Sequence, residues 1–575
     1  MCIYHKICLP IFFCYNRFME NTSIEGFMKY SPVPVPECCV FTKTGSATYV
    51  YLTKSVAYSK EKKRTVPTRV LIGKLNEDGM LVPNHNYVEL FGEEKELVPS
   101  PERADFVSCG LHMILERIAE ELQLNTLLEG VFDKEVSDLI LDVASYMIHS
   151  EDNVMQYVDN YCYGHDLFSD QCFEDSAVGK LMNLISVKDI DTFIRAWVNM
   201  HVSDGVYISY DSTNMNTVAG NLELAEYGYA KDNPDLPQVN MSLAYNQSDD
   251  VPLFYEMYPG SITDNTECQK MVDRAKYYGC ENVGFILDRG YFSLDNIRYF
   301  EKNRLDYILM TKGNAKFVKE VIEEVGPSVS RGARHYLPEY ELFGMTVEKQ
   351  LFHTGTTQYI HVYYDSRRAG AETIEINNRF HRMDTMLEEK KARKIQRKED
   401  VKSYEKYYNL RFDDNGYFLA YQRKDSEIEK LVDQAGYFVI ITSKKMTAKE
   451  ALDVYRNRDA VEKVFRMDKS FLGNDVFRVH SQQKLESKMF ISFVALILRN
   501  CIHNKTKELY RSNRGEFTVP RIIRTLENLG VTKLSDDRYH LRYQLTSKQK
   551  KILKQFGMDE SAYKSFANRL SAKLR

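Results

Sequence analysis

No Cys-x2-Cys pair occurs in this 575-residue chain, and its 11 cysteines are scattered and odd in number. That excludes both a secreted disulfide framework and a zinc ribbon, and it points to a reducing cytoplasm. Cys162, His165 and Cys172 can be drawn as a metal cluster, but a fourth ligand at useful spacing is missing. The chain also lacks an apolar run of membrane-spanning length: the stretch 7–15 contains a proline and falls well short of the roughly 20 residues a bilayer requires. No membrane association is expected, and residues 1–38 are treated as an extension without fold information, since no small-residue cleavage site follows the apolar stretch. Internal repeats and low-complexity tracts are absent as well.

A basic balance is missing too. The net charge is −4 and the pI about 6.4, which counts mildly against a partner made of phosphates. The average conceals a gradient, because residues 541–575 hold nine basic side chains against two acidic ones; a solvated helical face and a DNA contact are both open readings of it. What is present is ordinary globular composition, 43% hydrophobic and 27% charged, at a length that predicts two to four domains.

Apolar periodicity sets the organisation. β-type runs at 47–52 and 69–75 predict a small β-rich unit over 39–100, and helical spacing from 109 onward predicts a helical domain over 101–200. From 201 to 311 the order reads β-β-β-α-β-α-β, with Asp211 expected at the end of the first strand and Asp288 at the end of the fourth. Hairpin-joined strands beside helix-flanked ones imply a mixed sheet. Residues 312–434 break that rhythm and read as a β-rich insertion carrying a charged helix, with Asp413-Asp-Asn-Gly416 as a hairpin turn. Core-type segments resume over 435–505, with one long helix expected over 447–469, and 506–575 reads as a basic helical region.

Three acids stand out. Asp211 and Asp288 each follow a run of apolar β-formers, where ligand sites of α/β sheets lie, although an aspartate there also serves as a helix N-cap or turn former. Glu462 belongs to a patterned stretch in which Arg458, Glu462, Arg466 and Lys469 follow Tyr455 at offsets of 3, 7, 11 and 14. Those offsets are helical repeats, so one face would carry a carboxylate among cations and a tyrosine. Such a face suits a metal together with phosphates; a solvated face laced by Arg458–Glu462 pairing is the plainer reading. Asp459 is a rival for the third acid, with Asp204, Glu450 and Asp453 also near, while Arg478 and His480 are candidate DNA contacts or ordinary loop residues.

The spacing Tyr-x2-Arg-x3-Glu-x6-Lys resembles that of the bacterial insertion-sequence DDE transposases bearing the YREK motif. Tyr210-Asp211-Ser212-Thr213 is similar to the family's first-aspartate motif and Gly284 through Ser293 to its second. The segment from Pro252 to Asp264 resembles the stretch those enzymes carry between the two aspartates. Ser212 stands where relatives often have a smaller residue.

The resemblance implies an α/β ribonuclease-H-like mixed-sheet core interrupted by a β-rich insertion. It implies that Asp211, Asp288 and Glu462 hold two Mg2+ ions, with Mn2+ as a substitute, and that Tyr455, Arg458, Arg466 and Lys469 contact DNA. To the helical domain over 101–200 it adds DNA-end contacts. Three carboxylates suffice because magnesium prefers hard oxygen donors and keeps several waters, and paired metals stabilise the attacking and leaving oxygens of an in-line displacement. The implied partners are double-stranded DNA, both terminal inverted repeats and target, and a second copy of the chain in a synaptic dimer; the implied location is the cytoplasm, on the nucleoid. A stand-alone metal nuclease and a catalytically silent DNA-binding descendant are the competing functions.

Overall fold

The computed structural model describes residues 32–574 apart from 45–46, 60–63, 77–78, 92–103, 220, 229–232, 352–354, 396–398, 514, 536–537 and 543. The apolar stretch at 7–15 lies outside the described residues. The first alternating runs form a four-stranded antiparallel sheet, Cys39–Thr44, Ala47–Ser59, Arg64–Leu75 and Leu81–Pro83 in that spatial order. A succession of helices follows, among them Gly110–Glu121, Lys134–Ser150 and Val187–His201. Their apolar faces bury Ile114, Ile140 and Trp197 against the helix Gln482–Ser512, which is itself buried along most of its length.

The centre of the molecule is a ten-stranded mixed sheet. Its main strands are β1 (Tyr207–Thr217), β2 (Gln238–Asn246), β3 (Val251–Pro259), β4 (Gly284–Leu287), β5 (Asp306–Met310), β6 (Leu342–Lys349), β7 (Gln358–Tyr364) and β8 (Tyr437–Thr442). The spatial order is β6-β7-β8-β5-β4-β1-β2-β3, with Tyr336–Leu337 at the β6 edge and Val476–Phe477 beside β1. Strand β4 runs parallel to both β1 and β5, while β1, β2 and β3 form an antiparallel meander and β5, β8, β7 and β6 pair antiparallel. The architecture is therefore mixed α/β.

Alternation along the strands gives the sheet two apolar faces. Tyr210, Phe285, Leu287, Leu309 and Ile441 join the main core with the long helices. Ile286, Ile308 and Ile440 face the other way and meet Ala448, Leu452 and Tyr455. Gly284 lets β1 and β4 approach: a Cβ there would fall 2.4 Å from the Tyr207 ring.

Several expectations need correction. Strand β1 does not end at Asp211 but runs on to Thr217, with Asp211 paired opposite Leu243 of β2. The segment 312–434 divides: β6 and β7 extend the central sheet, and only the part from Ser366 onward stands apart. That part comprises the helix Ser366–Ala392, the hairpin Tyr408–Phe412 with Phe418–Arg423, and the helix Asp425–Asp433, around its own core of Phe380, Leu387 and Tyr408. The basic C-terminal region is not wholly helical, since Gly530–Lys533 and Tyr539–Leu541 pair with Phe106–Ser108 in a three-stranded sheet. Among the described residues no helix is long and apolar enough to cross a membrane.

Candidate active site

Register places the two aspartates side by side. Tyr210 of β1 pairs with Leu287 of β4, the last residue of that strand, so Asp211 and Asp288 each follow directly on a paired position of neighbouring parallel strands. By alternation both belong to the face that carries Tyr207 and Ile286, the face covered by helix α1 (Ala448–Arg456). Beyond this point β4 turns away: Asp288 caps a short 3-10 turn, its Oδ1 accepting from the Gly290 amide at 2.6 Å. Strand β1 is left without a β4 partner where Asp211 sits, and Ser212 N donates to Asp211 Oδ1 at 2.9 Å.

The third acid arrives on helix α2 (Asp459–Phe471). Sequence periodicity predicts one helix over 447–469; the structure breaks it at Asn457–Arg458, where backbone bonding tightens to Arg458 N→Tyr455 O at 3.0 Å and Val461 N→Arg458 O at 2.9 Å. No glycine or proline causes this break. At the break the Arg458 Nη1 donates to Asp211 Oδ2 at 2.8 Å and its Nη2 donates to Glu462 Oε1 at 2.5 Å. The Arg458 side chain is 13% exposed and that of Asp211 15%, whereas Glu462 is 53% exposed.

One guanidinium thus ties the middle of a central strand to the start of a distant helix. Burial works against its charge, and this is outweighed by Asp211 first, then Tyr455, Glu462 and Asp288, so Arg458 is held protonated well above the usual range. All three predicted acids therefore act on one cation. Burial also pushes the Tyr455 phenol up to about 12, Arg458 opposing and Asp288 and Asp211 adding to the rise.

A cavity of about 370 Å³ opens here, lined by Asp288, Tyr455, Arg458 and Glu462 together with Arg289 and Arg368. The last two were missed from sequence. Arg289 adjoins Asp288 and was legible as a cation beside an acid; Arg368 was not, because it comes from the segment read as an insertion. It sits 5.5 Å from the Phe438 ring centroid and pairs with Glu372 at 2.7 Å. Asp264 also approaches: its Oδ2 lies 3.6 Å and Asp288 Oδ1 2.8 Å from the Cβ position of Gly290, and it accepts from the Tyr258 hydroxyl at 2.9 Å.

The predicted cationic face is only partly assembled. Tyr455 is 8% exposed and packed into the sheet–helix core, yet it lines the cavity beside Arg458, whose guanidinium lies 5.8 Å from its ring centroid. Arg466 is exposed and Lys469 half-buried, and neither lines the cavity. The rival acids have other occupations: Glu450 closes the capping box of α1 with Thr447, Asp453 bonds Tyr340 and Lys449, and Asp204 accepts from Asn282. Asp459 is exposed and does not line the cavity. Arg478 donates to Asn153 Oδ1 at 2.8 Å, a loop role, and His480 is exposed.

As to metal, the donor chemistry fits: carboxylate oxygens are hard ligands, and the Arg458 guanidinium stands in for a cation among them. Among the described residues, however, no group of three or more His, Cys, Asp or Glu side chains is gathered tightly enough to hold an ion as it stands. The acids converge on the guanidinium and not on one another. Cys162, His165 and Cys172 serve packing, with His165 Nδ1 bonded to Tyr161 O and Cys172 Sγ to Cys162 O.

A family profile described as a transposase DDE domain matches residues 203–498, just over half of the chain and all of the elements that carry the three acids. No curated protein matches the sequence. Among solved structures, the chain is similar to the piggyBac transposase in a synaptic complex with hairpin DNA, at 11% identity, over 73% of this chain and 80% of that one, with a TM-score of 0.35.

Proposed function

The chain belongs to the DDE transposase family, and from that premise we propose that it is the transposase of a bacterial insertion sequence, with Asp211, Asp288 and Glu462 as its catalytic acids. The observation that carries the assignment is the guanidinium bonded to both Asp211 and Glu462 beside a cavity that Asp288 and Glu462 line. The strand order, a three-strand meander joined through β1 to the parallel strands β4 and β5, supports a ribonuclease-H-like reading of the core. The offsets from Tyr455 to Lys469 support the YREK assignment.

Enzymes of this family use divalent metal ions, and Asp211, Asp288 and Glu462 are the residues that would hold them; carboxylate donors favour Mg2+, with Mn2+ as a substitute. When bound, a metal pair supplies charge stabilisation to the attacking and leaving oxygens of a phosphodiester displacement. The chain's own part is orientation. Asp211 is fixed by the sheet register and by the Ser212 amide, Asp288 by the Gly290 amide, and Glu462 by a helix whose other side is buried through Val461, Val464 and Phe465.

Arg458, Arg289 and Arg368 line the same cavity and would neutralise the phosphates of the strand brought to the acids. Water attack on the phosphorus at the element's end forms one P–O bond and breaks the bond to the 3′ oxygen, leaving a 3′-hydroxyl and a 5′-phosphate. The 3′-hydroxyl then attacks a phosphorus of target DNA, displacing another 3′ oxygen. Two copies of the chain, each holding one inverted repeat, would keep the two ends together in a synaptic dimer, with Arg466 and Lys469 on the exposed side of α2 contacting backbone.

The experiment is Glu462→Gln on duplexes bearing the inverted repeats that flank the gene. Strand cleavage in Mg2+ is expected to vanish while end binding persists, because the substitution removes ligand charge and leaves the cations in place. Cleavage at the wild-type rate would remove Glu462 from the site.

A further inference from the structure

Among the described cations of the C-terminal region, Lys550 pairs with Glu560, Arg569 with Glu116, and Lys573 with Asp166 and Asp170, contacts that hold the last helix to the body. Another set is exposed on two neighbouring helices. Helix α3 (Val519–Leu526) buries Val519, Ile522, Ile523 and Leu526 and turns Arg521 and Arg524 outward. Helix α4 (Ser547–Lys554) buries Gln549, Ile552 and Leu553 and turns Lys548, Lys551 and Lys554 outward. Between the two helices lies a cavity of about 450 Å³ whose lining combines Arg521, Arg524 and Lys548 with the polar side chains of Thr525, Asn528 and Gln549.

Arg521, Arg524, Lys551 and Lys554 make no ion pair and no side-chain hydrogen bond among the described residues. Like charges three residues apart on a helix repel; Glu527 partly offsets Arg524, and Glu516 partly offsets Arg521 and Lys551. Lys548 in direct bond, with Lys551 and Arg521 behind it, holds the Glu516 carboxyl below its usual range. Gln549 Nε2 donates to Thr525 O at 3.1 Å, joining α4 to α3. Helix α3 presses on Gly110 so closely that a Cβ there would lie 2.2 Å from the Leu526 carbonyl oxygen.

We infer that this groove docks the sugar-phosphate backbone of duplex DNA, at a surface separate from the acid cluster. Arg521, Arg524 and Lys548 around the cavity, with Lys551 and Lys554 exposed on the same helix as Lys548, fit a line of phosphates. The choice of DNA as the polyanion rests on the transposase reading, but the contact needs neither metal nor the three acids.

The test is fluorescence anisotropy of a 30-base-pair duplex of arbitrary sequence, in EDTA, with the full chain and its Arg521→Gln/Arg524→Gln/Lys551→Gln/Lys554→Gln variant. Each lost phosphate contact lowers the slope of log affinity against log salt by about 0.9. The variant should therefore lose about 3–4 from that slope and bind about a hundredfold or more weaker at 0.1 M salt, with a nearly unchanged thermal melt because the four side chains are exposed and make no ion pair or side-chain hydrogen bond among the described residues. Arg524→Gln alone should lose about 1 from the slope. In a separate cleavage assay in Mg2+, at protein concentrations that saturate inverted-repeat duplex, the quadruple variant should still cut, so failure of the chemistry and failure of this surface read out separately. An unchanged slope in the quadruple variant overturns the inference, as does unchanged DNA binding with an altered oligomeric state, which would give the groove to a second copy of the chain.

Discussion

Replacing Arg458 by Met would keep most of the side-chain volume beside Tyr455 and delete the one charge that joins Asp211 to Glu462. Breaking a buried ion pair by removing one partner costs about 3–5 kcal/mol, and an exposed pair about 0.2–1 kcal/mol. The Asp211 contact lies near the first limit, at 13% and 15% exposure, and the Glu462 contact near the second, at 53%. Because the cavity admits water to this cluster, the sum is placed at about 2–3 kcal/mol. The sole tryptophan, Trp197, is fully buried between its helix and β3, so its fluorescence during urea unfolding reports on the unit that contains the acids. In EDTA the variant should unfold at lower urea than wild type by that margin. Saturating Mn2+ should narrow the difference to under about 1 kcal/mol, since a ligand at a hundred times its Kd adds about 2.7 kcal/mol and in the variant has no guanidinium to displace. Equal stability in EDTA, or a gap that Mn2+ leaves untouched, would refute the reasoning.

Two further outcomes follow from buried polar groups. Asp468 is fully buried, and burial raises its carboxyl to about 7 against the opposing bond from Asn474. A folded-state pKa above the unfolded value means that stability is lost as pH rises from about 4 through about 7. Asp468→Asn should match wild type near pH 4 and exceed it above pH 7 by about 2–4 kcal/mol, and parallel urea curves across that range would contradict this. Trp197 Nε1 donates to Pro252 O at 2.8 Å, so Trp197→Phe, followed by far-ultraviolet circular dichroism, should cost about 2–3 kcal/mol from the lost bond and the void left behind.

Asp288 was legible in sequence because a short apolar strand ends directly before it and a serine-capped helix follows. Asp211 was assigned to a strand end because the polar run Asp211 to Asn216 interrupts the apolar alternation. The strand continues regardless, since Ser212, Asn214 and Asn216 are buried opposite β2 and Asn216 Nδ2 bonds the Asn233 carbonyl. The break at Asn457–Arg458 was invisible because no glycine or proline marks it, and the bond Arg458 makes there reaches a residue 247 positions away. Strands β6 and β7 were assigned to an insertion because their partner β8 lies far downstream, and pairing at that separation leaves no local mark. The hairpin at Asp413–Gly416, set by turn residues alone, was read correctly.

Strand β8 enters the middle of the sheet, between β7 and β5, although it is made long after both. Until residue 442 has left the ribosome, the nascent chain holds two half-sheets whose facing edges bond nothing, a state prone to wrong pairing and suited to chaperone capture. Closing that seam is a slow, long-range event, and the helices bearing Arg458 and Glu462 follow directly behind it. A polypeptide released early would therefore be sticky before it was ever complete enough to touch a genome.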